Sequence, residues 1–451
     1  MREDENQLVG EVDRWVTANE DAIVRTLQAL VRSESETHPP GGNEGPVQAL
    51  VEKEMRSLGL EVDVFEPTEV PGITEHPGWW PGLDFTNRPN VVGKLVGHGE
   101  GRSLILNGHA DVVPAGDHAE WKHPPYAAEI EDRKVFGRGA VDMKGGLAAI
   151  LAAVRCLLEI GASPAGDLIL ESVVNEELGG YNGTLACIAK GYGADAAVIT
   201  EATDFQIAVA TKGGQVYCAV VPGRPTHSCW WSDGISALDK AIAFKAALEE
   251  FEAERARETR SNPYFSDPIL HPKSAYVDTI WSLRAGDPEL MAHPADAELY
   301  FWVDHLPGED REQLLRRFEA YVDDFCRRDA WLAEHPIQLE RSAMRPFVGV
   351  GVDLEHEVIR SLARVHRLVR HDDAIVTGLP AASDTMMFNL YSATPAVNFG
   401  GGNIVRGRAH APDEYIGIDS LLDTVRTVAL LIADYCGVVR QQPAKPEATL
   451  V

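Results

Sequence analysis

The feature that most limits what this chain can become is a series of short apolar runs, several of which end in a histidine or a carboxylate. β-type runs cover Val91–Val96, Ser103–Asn107, Asp167–Val174 and Ala196–Thr200. They are rich in Val, Ile and Leu and are bounded by Gly or polar residues, the pattern of buried strands. Between them, Gly145–Ile160 is an apolar helical stretch opened by Gly145-Gly146 and long enough to serve as a crossover. Strands separated by such helices predict an α/β fold, a mixed, mostly parallel sheet flanked by helices.

The flanking segments fill in the organisation. A helix is expected over Glu11–Val31 and another over Gly45–Leu58, followed by a strand over Leu60–Phe65. Pro71–Pro89 is a loop dense in Pro, Gly and Trp, longer than most irregular connections and therefore a candidate to line a site. After Glu201 the texture changes. Gly213–Val221 alternates, Gly234–Arg257 reads as a long amphipathic helix, Ala297–Val303 as a further strand and Glu309–Arg328 as a charged helix. Two strand-then-helix units in a row predict a small α+β domain. The C-terminal part returns to the first texture, with a helix over Leu354–Val369, a strand over Ala396–Phe399 and a last helix over Asp419–Tyr435. The expected division is a discontinuous first domain, 1–212 and 347–451, with a second inserted at 213–346. A chain of 451 residues is long enough for both cores.

Charge narrows the partners. The 69 acidic against 41 basic residues leave a net charge of −28. A field of that sign repels phosphate backbones and anionic lipid, so nucleic-acid and membrane-surface roles are disfavoured. Most of these carboxylates read as a solvated surface. The first fifteen residues are acidic and lack an apolar core for a secretory signal. Leu147–Val154 is cut short by Arg155, well under the roughly 20 apolar residues of a membrane span. The six cysteines, Cys156, Cys187, Cys218, Cys229, Cys326 and Cys436, form no CxxC pair. They fit free thiols in a reducing compartment, so a cytoplasmic location is expected.

A few carboxylates and histidines call for another explanation. His109 and Asp111 follow the Ser103 run two residues apart, so on extended chain both face one way and the carboxylate can reach one imidazole nitrogen. Asp142 falls between glycine-rich turns ahead of the apolar helix, where an N-cap is the plain alternative. That segment is neither a Walker loop nor a GxGxxG turn. Glu176 and Glu177 are adjacent at the end of an apolar strand, where like charges repel unless a cation sits nearby. Glu201 ends the next strand, and His410 lies in a loop after a strand and glycines. Open α/β sheets bind ligands beyond the carboxyl ends of their strands. Two histidines and three carboxylates are N and O donors suited to Zn²⁺ or Co²⁺. Five ligands exceed one tetrahedral ion and suit two if one carboxylate bridges.

The motifs GHADVVP at 108–114, GRGAVDMKGG at 137–146, NEELGG at 175–180, the strand-end Glu201 and AHAPDEY at 409–415 occur in order along the chain. In these it resembles, over nearly its whole length, the di-zinc amidohydrolase and exopeptidase family. That family includes acetylornithine deacetylase, succinyl-diaminopimelate desuccinylase, aminoacylases, glutamate carboxypeptidase and several dipeptidases, and the acetylornithine deacetylase-like branch is the most similar. The resemblance implies two divalent ions per chain, zinc or cobalt. Asp142 would bridge them, His109 and Glu201 would complete one site, and Glu177 and His410 the other. It implies Glu176 as general acid/base, Asp111 as the residue orienting His109, and an inserted lid that dimerises. His227, in Gly223-Arg-Pro-Thr-His227-Ser, matches a lid histidine that in several relatives reaches the partner subunit's active site. A hydrogen-bonded turn residue is the alternative for it. Lys212 and Ser383-Asp384 sit where relatives contact substrate.

Two departures stand out. Asn175 replaces an Asp that relatives often carry before the Glu pair. The stretch Val303–Glu309 has His305 where many relatives carry an Arg that can fork a substrate carboxylate; Arg284 and Arg345 are the candidates to replace it. The expected activity is hydrolysis of an amide in a small N-acylated amine or amino acid. The alternatives are a dipeptidase or carboxypeptidase, a deformylase or decarbamoylase of a small heterocyclic amine, and a metal-binding protein without catalysis.

Overall fold

The computed structural model describes residues 3–440 apart from 178, 180, 288, 343 and 344, and the chain divides into two compact units. The first comprises Met1–Val209, Val352–Val376 and Ser383–Val451; the second comprises Ala210–Gly351 and Thr377–Ala382.

In the first unit the strands run in the order Ala396–Asn398, Ala196–Ile199, Leu104–His109, Leu168–Val173, Asn90–Leu95, Glu61–Phe65. The first four are parallel to one another, and Asn90–Leu95 runs antiparallel to both its neighbours, Leu168–Val173 and Glu61–Phe65. Leu104–His109 and Leu168–Val173 are buried at every position, so both faces of the sheet are covered, as the continuous apolar runs require. The crossover helix Lys144–Glu159 is buried at nearly every position and packs against Glu20–Arg32 and Ile418–Cys436. The sheet is therefore mixed and mostly parallel in its centre, with helices flanking it.

The expected single N-terminal helix is two, Glu3–Ala18 and Glu20–Arg32. Asn19 leaves the helical region between them, and its amide donates to the Trp15 carbonyl at 2.8 Å, competing with the helix's own ladder. Within Pro71–Pro89 a short turn of 3-10 helix covers Ile73–Glu75. Asn182 clamps the loop by accepting from the Trp80 N–H at 2.9 Å and donating to the Trp80 carbonyl at 2.7 Å.

The second unit is a four-stranded antiparallel sheet in the order Thr279–Ala285, Asp296–His305, Gly213–Pro222, Gln338–Arg341. Alternate residues Tyr217, Ala219, Val221, Leu299, Phe301 and Val303 join Phe244, Leu248 and Phe251 of helix Ala237–Glu258 and Leu315, Phe318 and Val322 of helix Arg311–Arg328 in one core. Thr377–Ala382, expected with the first domain, belongs to this unit. His271 Nε2 and Thr377 Oγ1 lie 2.8 Å apart, and the Gly378 N–H donates to the Tyr264 carbonyl at 2.8 Å. Among the described residues no helix is long and apolar enough to cross a membrane.

Candidate metal centre

The site is assembled at the carboxyl ends of the parallel strands. His109 is the last residue of its strand, Glu176 and Glu177 follow Leu168–Val173, and Glu201 follows Ala196–Ile199. Asp142 comes from the turn before helix Lys144–Glu159, and His410 from the loop ahead of Tyr415–Gly417. Leu178 and Gly180 of the NEELGG motif lie outside the described residues.

Asp142 stands at the centre, with one carboxylate oxygen towards each histidine. Its Oδ1 is 3.3 Å from His109 Nε2 and its Oδ2 is 3.4 Å from His410 Nε2. Glu201 Oε1 approaches His109 Nε2 at 3.6 Å, and Glu177 Oε2 approaches His410 Nε2 at 3.0 Å. The residues form two groups that share Asp142, His109–Asp142–Glu201 and Asp142–Glu177–His410, with the donor atoms of each group within 4.8 Å of one another. Glu176 Oε2 lies beside the first group, 3.9 Å from His109 Nε2.

These residues fit a pair of divalent cations. His109 Nε2 and Glu177 Oε1 are buried without a hydrogen-bond partner, an arrangement that is costly unless something else fills the coordination. The donors are all nitrogen and oxygen, suited to zinc and to neighbouring divalent metals. The electrostatics agree. Burial pushes the Glu201 carboxyl up to about 8, with Asp142 adding to the shift. Burial likewise raises Glu176 well above the usual carboxylate range; His109 opposes this, and Glu201, Asp384 and Glu177 reinforce it. Asp142 and Glu177 hold His410 up at about 10. Burial disfavours a charged His109, but the Asp142, Glu176, Glu201 and Asp111 carboxylates outweigh it and raise the imidazole well above its ordinary value. A dication would replace the protons that this crowd of carboxylates otherwise retains.

Asp111 departs from expectation. His109 Nδ1 hydrogen-bonds the Asp111 main-chain carbonyl at 2.9 Å, while the Asp111 carboxylate stands 3.8 Å away. The peptide carbonyl beyond the strand end reaches the ring first and still fixes its tautomer. The carboxylate is engaged elsewhere, accepting the N–H groups of Glu176 and Glu177 at 3.1 and 3.0 Å. Asp111 thus holds the segment that carries both glutamates. Asn175, just before them, adopts φ +66, a conformation that Asn tolerates better than most residues.

The remaining candidates are placed differently. Ser383 is buried, donating from Oγ to Asn398 Oδ1 at 3.0 Å. Lys212 is in the second unit, buried and paired with Asp304 at 2.9 Å, with Phe265 and Tyr276 rings against its ammonium. Arg345 is largely buried in the same unit, and Arg284 is exposed on the edge strand Thr279–Ala285. His227 is exposed at the start of the turn Ser228–Asp233. Its Nδ1 accepts the Cys229 N–H at 3.1 Å, so in the neutral ring the proton is on Nε2 and available for donation. His305 is buried with both nitrogens engaged. Its Nε2 donates to the Glu309 carbonyl at 2.9 Å and its Nδ1 accepts the Gly349 N–H at 3.0 Å.

Sequence reasoning gave no role to Arg138, Lys144 or Glu414, all buried around the centre. Lys144 donates to the Ser33 carbonyl at 2.9 Å, and burial lowers its pKa to about 7. The available signal was their position inside GRGAVDMKGG and AHAPDEY, the motifs that carry Asp142 and His410.

Comparison with known proteins bears on the same centre. The model of peptidase family M20/M25/M40 matches residues 105–434. N-formyl-4-amino-5-aminomethyl-2-methylpyrimidine deformylase of Halalkalibacterium halodurans is 27% identical over 454 residues, covering 95% of this chain and 97% of that protein. A probable succinyl-diaminopimelate desuccinylase of Staphylococcus aureus is 29% identical over 356 residues, covering 74% of this chain and 83% of that protein. Human carnosine dipeptidase 1 shares the fold, with a TM-score of 0.69 at 16% identity over 95% of this chain and 99% of that one.

Proposed function

The chain belongs to peptidase family M20/M25/M40 and is a metal-dependent hydrolase of amide bonds, and from that premise we propose that it removes a short acyl group, formyl foremost, from a small amine lacking an α-carboxylate. The observation that carries the catalytic half of this reading is the sharing of Asp142 between two groups of N and O donors. The acyl half draws support from the deformylase resembling the chain over almost its full length. His305 supports the missing carboxylate handle, because both its nitrogens are spent inside the fold.

His109, Asp142 and Glu201 would hold one ion and Asp142, Glu177 and His410 the other, Zn²⁺ first and Co²⁺ as the alternative. Ions held there supply the Lewis acidity that lowers the pKa of a water towards about 7 and polarises an amide carbonyl. Glu176 accepts the proton of that water as its oxygen bonds to the carbonyl carbon, then returns the proton to the amine nitrogen as the C–N bond breaks. Asp111 fixes the main chain of Glu176 and Glu177, so the base keeps its position through both transfers. His227, with its proton on Nε2, donates to the developing oxyanion.

The assembly we propose is a cytoplasmic homodimer built through the inserted unit. Its sheet ends in the edge strand Thr279–Ala285, which leaves Trp281 and Leu283 exposed, an edge that needs a cover. The free cysteines fit a reducing compartment. Mixing inactive His227→Ala with inactive Glu176→Gln subunits tests the sharing: partial activity returns if each site takes its histidine from the other subunit.

The substrate reading is tested with a panel of N-formyl, N-acetyl, N-succinyl and N-carbamoyl amines, with and without an α-carboxylate, beside dipeptides, in the presence of Zn²⁺ or Co²⁺. Highest kcat/KM on N-formyl amines without a carboxylate supports the proposal. Preference for dipeptides or succinylated amino acids replaces it.

A further inference from the structure

Asp142 and His410 lie farther along the chain from the parallel strands than the other ligand residues, on a turn and in a loop. His109 ends a strand paired on both sides, and Glu201 follows one also paired on both sides, so the sheet itself fixes them. The segments of Asp142 and His410 are joined by a short antiparallel ladder, Lys134–Phe136 against Tyr415–Gly417, which stops at the pair Phe136 and Tyr415.

Glu414 continues the connection where that ladder stops. It is 0% exposed and lies four residues beyond His410. Its Oε1 accepts the N–H groups of Val141 and Asp142 at 3.0 and 3.2 Å. Its Oε2 accepts Arg138 Nη1 at 2.6 Å, and its main-chain carbonyl accepts the Gly137 N–H at 2.8 Å. Arg138, 2% exposed, is held in turn by the Trp121 ring 5.2 Å away and by its N–H to the Pro125 carbonyl at 2.8 Å. One buried carboxylate thus spans from the segment of His410 to the main chain of Asp142, as Asp111 holds Glu176 and Glu177.

We propose that Glu414, backed by Arg138, is a positioning residue that sets the separation of Asp142 and His410, so that the Asp142–Glu177–His410 site depends on it far more than the His109–Asp142–Glu201 site does. Two of the three ligands of the former lie on the segments Glu414 joins, and only one of the latter. The inference rests on the two-ion reading and extends it to the unequal support of the two sites.

Stepwise Co²⁺ binding to the metal-free full chain, followed by calorimetry and by the Co²⁺ visible spectrum, tests it without reference to turnover. In Glu414→Gln one dissociation constant should rise about 10–100-fold while the other moves by less than about threefold. The spectral band lost should be the one lost in His410→Ala. The double variant Glu414→Gln/Arg138→Met removes the buried charge pair together and gives the same comparison should the single variant fold poorly. Two constants that rise together, or neither changing, would overturn the inference. A wild-type chain that takes up only one ion fails the two-ion reading instead, and that outcome is visible before any variant is made.

Discussion

The two units differ in the buried charge they leave unbalanced. In the second, buried charges form opposite pairs, Lys212 with Asp304, Arg255 with Glu309 and Glu252 with Lys273. In the first, Arg138 and Glu414 balance in the same way, but Asp142, Glu176, Glu177 and Glu201 converge on two imidazoles, leaving a surplus of negative charge and orphaned donor atoms. Neutral pairs hold a fold together and ask for nothing more. An unbalanced cluster is costly to bury unless a cation completes it. The difference therefore separates residues that support structure from residues that await a ligand.

The strongest way to break this contrast is to remove the metal. Chelation should abolish activity completely, and Zn²⁺ or Co²⁺ should restore it, read by hydrolysis alongside metal analysis. The sign with pH follows from the raised groups. His410 titrates near 10 and Glu201 near 8 in the metal-free fold, above their ordinary values. The metal-free fold thus binds more protons than the unfolded chain, and the stability these groups contribute is lost as pH rises through about 8 to 10. Metal uptake must displace those protons, so affinity falls as pH falls. The melting temperatures of loaded and metal-free protein should therefore diverge as pH is raised from 6 to 9. A constant gap would mean that the cluster does not hold protons in place of metal.

Within the cluster, Glu176 should matter next. Glu176→Gln is expected to lower kcat by about 10²–10⁴-fold, the usual contribution of a general base, while both ions stay bound. Steady-state kinetics with metal analysis check this. Loss of an ion would reassign Glu176 as a ligand.

Asp111→Asn should follow, with kcat/KM lowered about 10–100-fold, as for other residues that support ligands without touching metal. Asn offers one acceptor oxygen where the carboxylate offers two, so one of the Glu176 and Glu177 amides loses its partner. Kinetics of the metal-saturated variant, with the unfolding midpoint measured beside them, separate this from a general loss of fold.

The legibility of these features in the sequence follows the same division. The parallel centre was readable because strands buried on both faces are continuous apolar runs, and their ends pointed to His109, Glu177 and Glu201. The helix break at Asn19 was not, because it depends on one side-chain amide winning against the helix ladder. Nor was the transfer of Thr377–Ala382 to the second unit, which rests on contacts with His271 and Tyr264 more than 100 residues away. Asp111 was placed beside His109 by residue spacing, yet its carboxylate turns to two amides 65 and 66 residues away. Spacing along a chain fixes which side chains share a face, but not which of several donors a carboxylate meets.

The smallest effect on activity should come from Lys212, whose sequence position beside the inserted unit invites a role in binding substrate. Its side chain is 3% exposed with the ammonium 2.9 Å from Asp304, and Asp304 also accepts the Tyr276 N–H at 2.8 Å and the Trp302 indole N–H at 2.7 Å. Lys212→Met leaves a buried carboxylate without its cation and should lower stability by about 3–5 kcal/mol, read as a shift in the urea midpoint. Lys212→Met/Asp304→Asn removes both charges and should recover much of that loss, because a buried pair is costly to break and far less costly to replace. In either variant, at a temperature where the fold is intact, kcat/KM should change by less than about tenfold, below the Glu176 and Asp111 effects. A large rise in KM in the stable double variant would give Lys212 a part in binding substrate after all, and neutral pairing in the second unit would cease to mark residues that serve structure alone.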